Sequence, residues 1–216
     1  MFITFEGIEG CGKTTQIRRL ARRLASLRIP VVLTFEPGGT RIGRQIRRVL
    51  LDSRNRDLAP LAEVMLYAAE RAQHVKEVIK PALEQGKWVL CDRFMDATVV
   101  YQGMARGQDM KLIQLLNEKV TLSIRPNITL LLDCPVKVGL ERAILRNKRG
   151  RVRGQDRFEK ENQVFHQRVR RGYLALARKD PKRFVVIRAD GSADEVEERI
   201  FRYIQPLVSR PRKTLR

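Results

Sequence analysis

Residues 7–14 read Gly7-Ile8-Glu9-Gly10-Cys11-Gly12-Lys13-Thr14, which fits the pattern G-x-x-x-x-G-K-[ST]. An apolar run, Phe2 to Phe5, precedes it, and an amphipathic stretch, Thr14 to Leu27, follows. Strand, glycine-rich turn and helix in that order make a phosphate cradle. Glycines at 7, 10 and 12 let the backbone curl until successive N–H groups face one point. The helix N-terminus adds its positive end there. Lys13 would bring a full charge to the terminal phosphates, and the Thr14 hydroxyl is placed to ligate Mg2+. Gly7, Ile8, Glu9, Gly10, Cys11, Gly12, Lys13 and Thr14 are thus the expected ATP cradle.

Such a cradle needs a buried strand in front of it, and the chain supplies more of the same kind. Val31 to Phe35, Trp88 to Cys91, Ile128 to Leu132 and Phe184 to Ile187 are near-continuous apolar runs, the pattern of strands buried on both faces. Between them lie helical patterns at Leu61 to Glu84, Val136 to Arg146, Phe158 to Ala177 and Ala193 to Val208. Alternating strand and helix predict an α/β fold, a five-stranded parallel sheet with helices on both faces. The whole of 1–216 reads as one domain. Residues about 147–157, with Lys148, Arg149, Arg151 and Arg153 among glycines, read as a short cationic lid between two helices. Residues about 209–216 read as a basic tail.

Charge is the one unusual feature of the composition. Net charge is +20, from 44 basic and 24 acidic residues, and 32 of the basic residues are Arg. A basic surface attracts anions of many kinds, among them nucleotides, nucleic acid and anionic lipid. The charges are spread along the length and fall at helical spacing, so most read as solvated helix faces. No specific nucleic-acid binding is expected from them. Cys11, Cys91 and Cys134 have no paired metal spacing. The start of the chain turns acidic too soon for a signal peptide, and no apolar run reaches membrane-spanning length. A cytoplasmic protein, without membrane contact, is expected.

A P-loop alone does not name a reaction. The third strand ends Val89-Leu90-Cys91-Asp92-Arg93-Phe94. A carboxylate at the C-terminal end of a parallel strand lies at the crevice where such sheets bind ligands. There Asp92 can hold Mg2+ or its waters, and Arg93 needs an anionic partner, which a second phosphate would supply.

Four blocks then resemble the thymidylate kinase family over nearly the whole chain. They are the P-loop continued by Thr15, Glu36-Pro37-Gly38-Gly39-Thr40, Asp92-Arg93-Phe94 with Tyr101-Gln102-Gly103, and Asp156-Arg157-Phe158-Glu159 with Tyr173-Leu174. Leu66 to Gln73 supports them. The resemblance implies a P-loop kinase fold, transfer of a phosphoryl group from ATP to dTMP with Mg2+, and a homodimer. It implies that Glu9 faces the sugar 3′-hydroxyl, Pro37 walls the acceptor pocket, Tyr67 stacks on thymine and Arg71 bonds its carbonyl. Arg93 would hold the acceptor phosphate, while Thr98, Tyr101 and Gln102 line the base and sugar edge. Arg142 would lie against adenine, and Thr14 and Asp92 would hold the metal. No P-loop residue from 8 to 11 is basic, so a lid arginine is expected to meet the transferring group. Arg153 is the first candidate, Arg149 and Arg151 the next. From the residues alone, Tyr67 could be core and Arg71 a surface partner four positions on.

Three positions depart from the family pattern. Phe35 stands where Arg is usual, Ala97 where Ser is usual, and Val100 where Ala is usual. If an arginine at 35 balanced Glu36, another must do so here. Two other readings remain open: a related kinase with a different acceptor, and a basic P-loop ATPase that works on nucleic acid.

Overall fold

The computed structural model describes residues 1–148 and 157–208. Arg149, Arg151 and Arg153, the heart of the expected lid, lie outside the described residues, as does the tail from 209 to 216. Five parallel strands form one sheet: β1 (Phe2–Glu6), β2 (Val31–Phe35), β3 (Trp88–Asp92), β4 (Ile128–Asp133) and β5 (Phe184–Arg188). Their order across the sheet is β2-β3-β1-β4-β5. The expected sheet is therefore present, and each expected strand lies within an observed one.

Helices α1 (Lys13–Ser26), α2 (Arg41–Leu51), α3 (Pro60–His74), α4 (Lys80–Glu84), α5 (Met95–Thr98), α6 (Met110–Thr121), α7 (Val136–Lys148), α8 (Gln163–Lys179) and α9 (Ala193–Val208) are described. Two apolar clusters, one containing Phe5, Leu24 and Leu132 and the other Phe2, Ile79 and Phe94, account for the doubly covered sheet. Short polar side chains mark several helix starts. Thr40 accepts from the Gly43 N–H at 2.8 Å, and Asn162 accepts from the Phe165 N–H at 2.9 Å. Asn162 thereby sets the start of α8 five residues later than the apolar pattern from Phe158 suggested. Ser192 and Glu195 form a reciprocal capping box ahead of α9.

The long pattern Leu61 to Glu84 is helical throughout but not uniformly α. Residues Val75–Ile79 form a π-helical turn, and the Lys80 N–H bonds the Val75 carbonyl. Pro81 explains it. A proline has no N–H to give the preceding turn and its ring crowds the carbonyl four residues back, so the helix widens just before it. A second π-helical stretch, Val99–Ala105, follows α5 and carries Tyr101 and Gln102.

The sheet order decides where chemistry can occur. β1 and β3 are neighbours in register, Phe5 opposite Asp92, so the P-loop leaves the sheet beside the Asp92-Arg93 corner. The Arg93 N–H bonds the Phe5 carbonyl at 3.0 Å. Below this edge a buried ion pair ties α5 to the loop before β5. Arg183 grips both oxygens of Asp96, at 2.6 and 3.0 Å, and also donates to Thr129 on β4. Removing one member of such a pair strands the other charge. Asp96→Ala is expected to lower unfolding free energy by about 3 kcal/mol or more. Arg54→Ala, which breaks the solvent-screened pair with Asp52, should leave it almost unchanged. Urea unfolding of both variants measures the contrast, and equal effects would contradict it.

Candidate active site

The P-loop geometry follows from its glycines. Gly7, Gly10 and Gly12 have φ of 137°, 70° and 98°, a region other residues avoid. At Gly10 space forbids a side chain too, because a Cβ would lie 1.9 Å from the Gly139 carbonyl of α7. The curl closes around the Lys13 ammonium, which donates to the carbonyls of Gly7 (3.0 Å) and Ile8 (2.8 Å). The Thr14 hydroxyl donates to Asp92 Oδ2 at 2.7 Å, so the two expected metal-binding oxygens meet across β1 and β3. An oxygen-only donor pair of one hydroxyl and one carboxylate suits Mg2+, which keeps waters and binds few protein ligands.

A single cavity of about 1010 Å³ runs from this loop to the far side of the sheet edge. One half is lined by the P-loop, Arg142, Arg146 and the β5–α9 loop at Ala189 to Ala193. Arg142 also donates to the Ala189 carbonyl at 3.2 Å. The other half is lined by Pro37, Tyr67, Arg71, Thr98, Tyr101 and Gln102. Arg93, Glu9 and Asp92 lie on its wall as well. The fold thus brings every described candidate except Gly7 and Ile8 to one cavity with two ends; those two line a small separate cavity with Leu132 and Tyr173.

Arg93 is held under constraint. Its φ of 71° is unusual for a residue with a side chain and aims the guanidinium at the cavity. It donates to Glu9 Oε1 at 2.9 Å and to the Tyr173 hydroxyl at 3.2 Å, and its charge lies 4.8 Å from the Tyr101 ring centre. Glu9 Oε1 accepts from the Tyr101 hydroxyl as well, at 2.7 Å. Glu9 Oε2 lies 3.3 Å from His166 Nδ1. Burial pushes the Glu9 carboxyl up, but Arg93, then His166 and Lys13, outweigh it and hold the group below the usual range.

Arg71 is neither a surface residue nor simply a base ligand. It is 1% exposed, and four of its five N–H donors are engaged, with Glu36, Asn117, the Phe94 carbonyl and Thr98. One NH1 hydrogen remains for a ligand. The Glu36 contact, at 2.8 Å, together with His74 Nδ1 at 2.9 Å on the other oxygen, balances the acid that Phe35 leaves without an arginine. Phe35 itself packs near Arg47 of α2, which donates to the Pro37 carbonyl at 2.7 Å. Gln102 reaches Glu63, its amide Nε2 donating to Oε1 at 2.7 Å.

Several residues that build the site escaped the sequence reading. Arg146 lines the cavity one turn beyond Arg142 and pairs with Glu159 at 2.8 Å. Its i+4 spacing from Arg142 was the available signal. Glu6 ends β1 fully buried, accepting from the Phe94 N–H and the Tyr173 hydroxyl. Glu70 accepts from the Gly38 N–H at 2.7 Å and so braces the Glu36 to Thr40 loop. Glu63 joins them on α3, at helical spacing with Tyr67 and Glu70, a polar stripe too regular for a solvated face.

A model of the thymidylate kinase family matches residues 5–200. Thymidylate kinase from Geobacter sp. (strain M21) is 54% identical over 210 residues, which cover 95% of this chain and 93% of that protein. That of Syntrophotalea carbinolica is 56% identical over 200 residues, 93% of each chain. The crystal structure of thymidylate kinase from Ehrlichia chaffeensis superposes with a TM-score of 0.76 at 34% identity, covering 95% of this chain and 98% of that one.

The chain belongs to the thymidylate kinase family.

Two buried acids give this family member a pH signature. Burial, then Asp96, pushes Glu6 up to about 7, and burial, then Glu36, pushes Glu70 up to about 7. A carboxyl whose folded value is raised favours folding while protonated, and that contribution is lost as pH rises through the folded value. Thermal stability is therefore expected to fall between pH 5 and pH 8. Glu70→Gln, a neutral shape mimic that can still accept from Gly38, should remove roughly half of that slope. Melting temperatures across that range test this, and an unchanged slope in Glu70→Gln would refute it.

Proposed function

We propose that this protein transfers the γ-phosphoryl group of ATP to dTMP, giving ADP and dTDP. The observation that carries the reading is the single cavity joining a phosphate cradle to an Arg-Tyr-Gln pocket through the Glu9–Arg93 pair. ATP would lie with its phosphates in the P-loop, on the N–H groups and Lys13, and its base near Arg142 and the β5–α9 loop. The acceptor would lie in the other half, with Tyr67 on its ring, Pro37 on its wall and Arg93 on its phosphate. Thr98, Tyr101 and Gln102 line its base and sugar edge, and Glu9 faces the sugar. Two anionic phosphates then meet where Lys13, Arg93 and Mg2+ reduce their repulsion, which is most of what such a transfer requires. Thr14 and Asp92 would hold the Mg2+. That ion supplies charge neutralisation at the phosphates.

Family membership supports the acceptor, and the donor set of the pocket supports a pyrimidine with a carbonyl at C4. A coupled ADP-release assay over nucleoside monophosphates tests it. Turnover of dTMP should exceed that of dCMP and AMP by orders of magnitude, since a site built for one hydrogen-bonding edge leaves polar groups unpaired with another. Comparable rates with dCMP or AMP would overturn the acceptor assignment. A homodimer is part of the same reading, supported by exposed Leu61 and Met65 on α3 and Leu115 on the adjoining α6. So is a cytoplasmic location.

The cation that meets the transferring group is open to a direct test. Arg153, Arg149 and Arg151 are the lid candidates, and Arg146, which lines the cavity and pairs with Glu159, is a described one. Alanine at the residue that serves should lower kcat by roughly 10²- to 10⁴-fold with dTMP binding nearly unchanged. If all four single variants, and the variant that combines them, keep kcat within a few-fold of the parent, no arginine from this segment is catalytic.

A further inference from the structure

Glu63 is a buried carboxylate that the phosphoryl-transfer machinery leaves unused. It is 2% exposed, lies in the first turn of α3, and faces three donor side chains from two segments. Gln102 of the second π-helical stretch donates its Nε2 to Oε1 at 2.7 Å. Arg106 Nε lies 3.2 Å from the same oxygen, and Arg157 donates to Oε2 while its Nε holds the Leu50 carbonyl at 2.7 Å. Both arginines also lie near the Phe158 ring, within 5.4 Å.

This arrangement has a chemical consequence for Gln102. A side-chain amide is ambivalent, with two donors at one end and an acceptor at the other. An ion-paired carboxylate can only accept. Glu63 therefore compels Gln102 to turn its NH2 toward α3, and the group left for a ligand in the cavity is the carbonyl oxygen. Thymine and uracil carry one donor on their pairing edge, N3–H. Cytosine carries an acceptor at N3. Set opposite N3, an amide locked with its carbonyl outward accepts from the first two bases and repels the third.

We propose that Glu63 is a specificity-determining positioning residue, which selects a base with an N3–H by fixing the orientation of the Gln102 amide. The inference rests on the proposed dTMP kinase reading and assigns the base-edge selectivity within that site. Arg106 and Arg157 are part of the device. They offer only donors, so they keep residue 63 an acceptor on both sides.

Glu63→Gln tests it because Arg157, the arginine that hydrogen-bonds residue 63, would claim the new carbonyl. Arg157 would take that oxygen and leave the new NH2 facing Gln102, which must then reverse and show its own NH2 to the cavity. The ratio of kcat/KM for dTMP over dCMP should fall at least about tenfold, through the KM values. The ratio for dTMP over dUMP should not move, because those two bases share the edge, and the KM for ATP should stay within about twofold of the parent. A merely structural role would weaken all acceptors alike. In Gln102→Met, changing residue 63 should have no further effect on the dTMP-to-dCMP ratio. An unchanged dTMP-to-dCMP ratio in Glu63→Gln, or losses at 63 and 102 that simply add, overturns the proposal. If Glu63→Gln does not fold, the parent protein still decides. The Gln102 side-chain amide protons should be protected from exchange before and after dTMP is added, and free exchange overturns the proposal. Absence of any dTMP turnover by the parent would defeat the kinase reading instead, and is distinguishable from both results.

Discussion

Arg93 is the point at which the two halves of the site depend on each other. Its backbone is fixed by a bond to β1 and by a φ of 71°, and its guanidinium is shared among Glu9 of the P-loop, Tyr173 of α8 and the face of Tyr101. No single partner would justify a charge at the bottom of a cleft. The set does so by meeting the guanidinium with one carboxylate, one hydroxyl and one aromatic face. Glu9 is fixed by the same contacts, so the P-loop acid and the proposed acceptor-phosphate arginine are positioned together. A parallel sheet in which β1 and β3 are neighbours is what allows such sharing.

Around this pair the structure spends its polar residues on orientation. Glu36 takes Arg71 on one oxygen and His74 on the other, and His74 passes the contact on to Thr34 at 2.6 Å. Asn117 of α6 reaches Arg71 from another side. Each buried donor or acceptor left unmatched would cost of the order of 1–3 kcal/mol, so these groups are strongly coupled in position. The aromatic walls depend on the same order, since Tyr101 meets Phe158 edge-on with ring centres 5.5 Å apart. A pocket built this way presents few free hydrogen-bonding groups, and those few define its ligand.

Much of this was legible in the residues. All five strands announced themselves as apolar runs, because strands covered on both faces admit little else. The P-loop was legible because its glycines have a steric reason, and Asp92-Arg93 because charged residues end a buried strand. Helices α2 and α6 were less so. Arg41 to Arg48 reads as a charge cluster, and only Gly43 and Leu50 of α2 are buried, so the apolar signal is thin. The partners of Arg71 and Gln102 were not legible at all. Those contacts join residues 23 to 46 positions apart, and nothing local in the chain distinguishes a buried strut from a ligand-binding arginine. Position 35 shows the same limit from the other side. Its missing guanidinium looked like a gap, yet the neighbouring acid is served by α3.

The preponderance of arginine over lysine bears on the charge of the whole molecule. Arg71 bonds a carboxylate, an amide oxygen, a hydroxyl and a backbone carbonyl at once, and Arg157 bonds a carboxylate and a carbonyl. Arg183 bonds a carboxylate at both oxygens and a hydroxyl. A lysine ammonium could not span these acceptors, because its donors radiate from one point and its charge is more strongly hydrated. Arg47 and Arg142 likewise bond backbone carbonyls that border the cavity. Such arginines brace loops whose carbonyls would otherwise lack donors, and each adds a positive charge whether or not an acid accompanies it. The preponderance of arginine is to that extent a by-product of construction. A phosphate cleft is well served by it, because the same cationic struts that hold the loops in place also attract the anionic ligands proposed here.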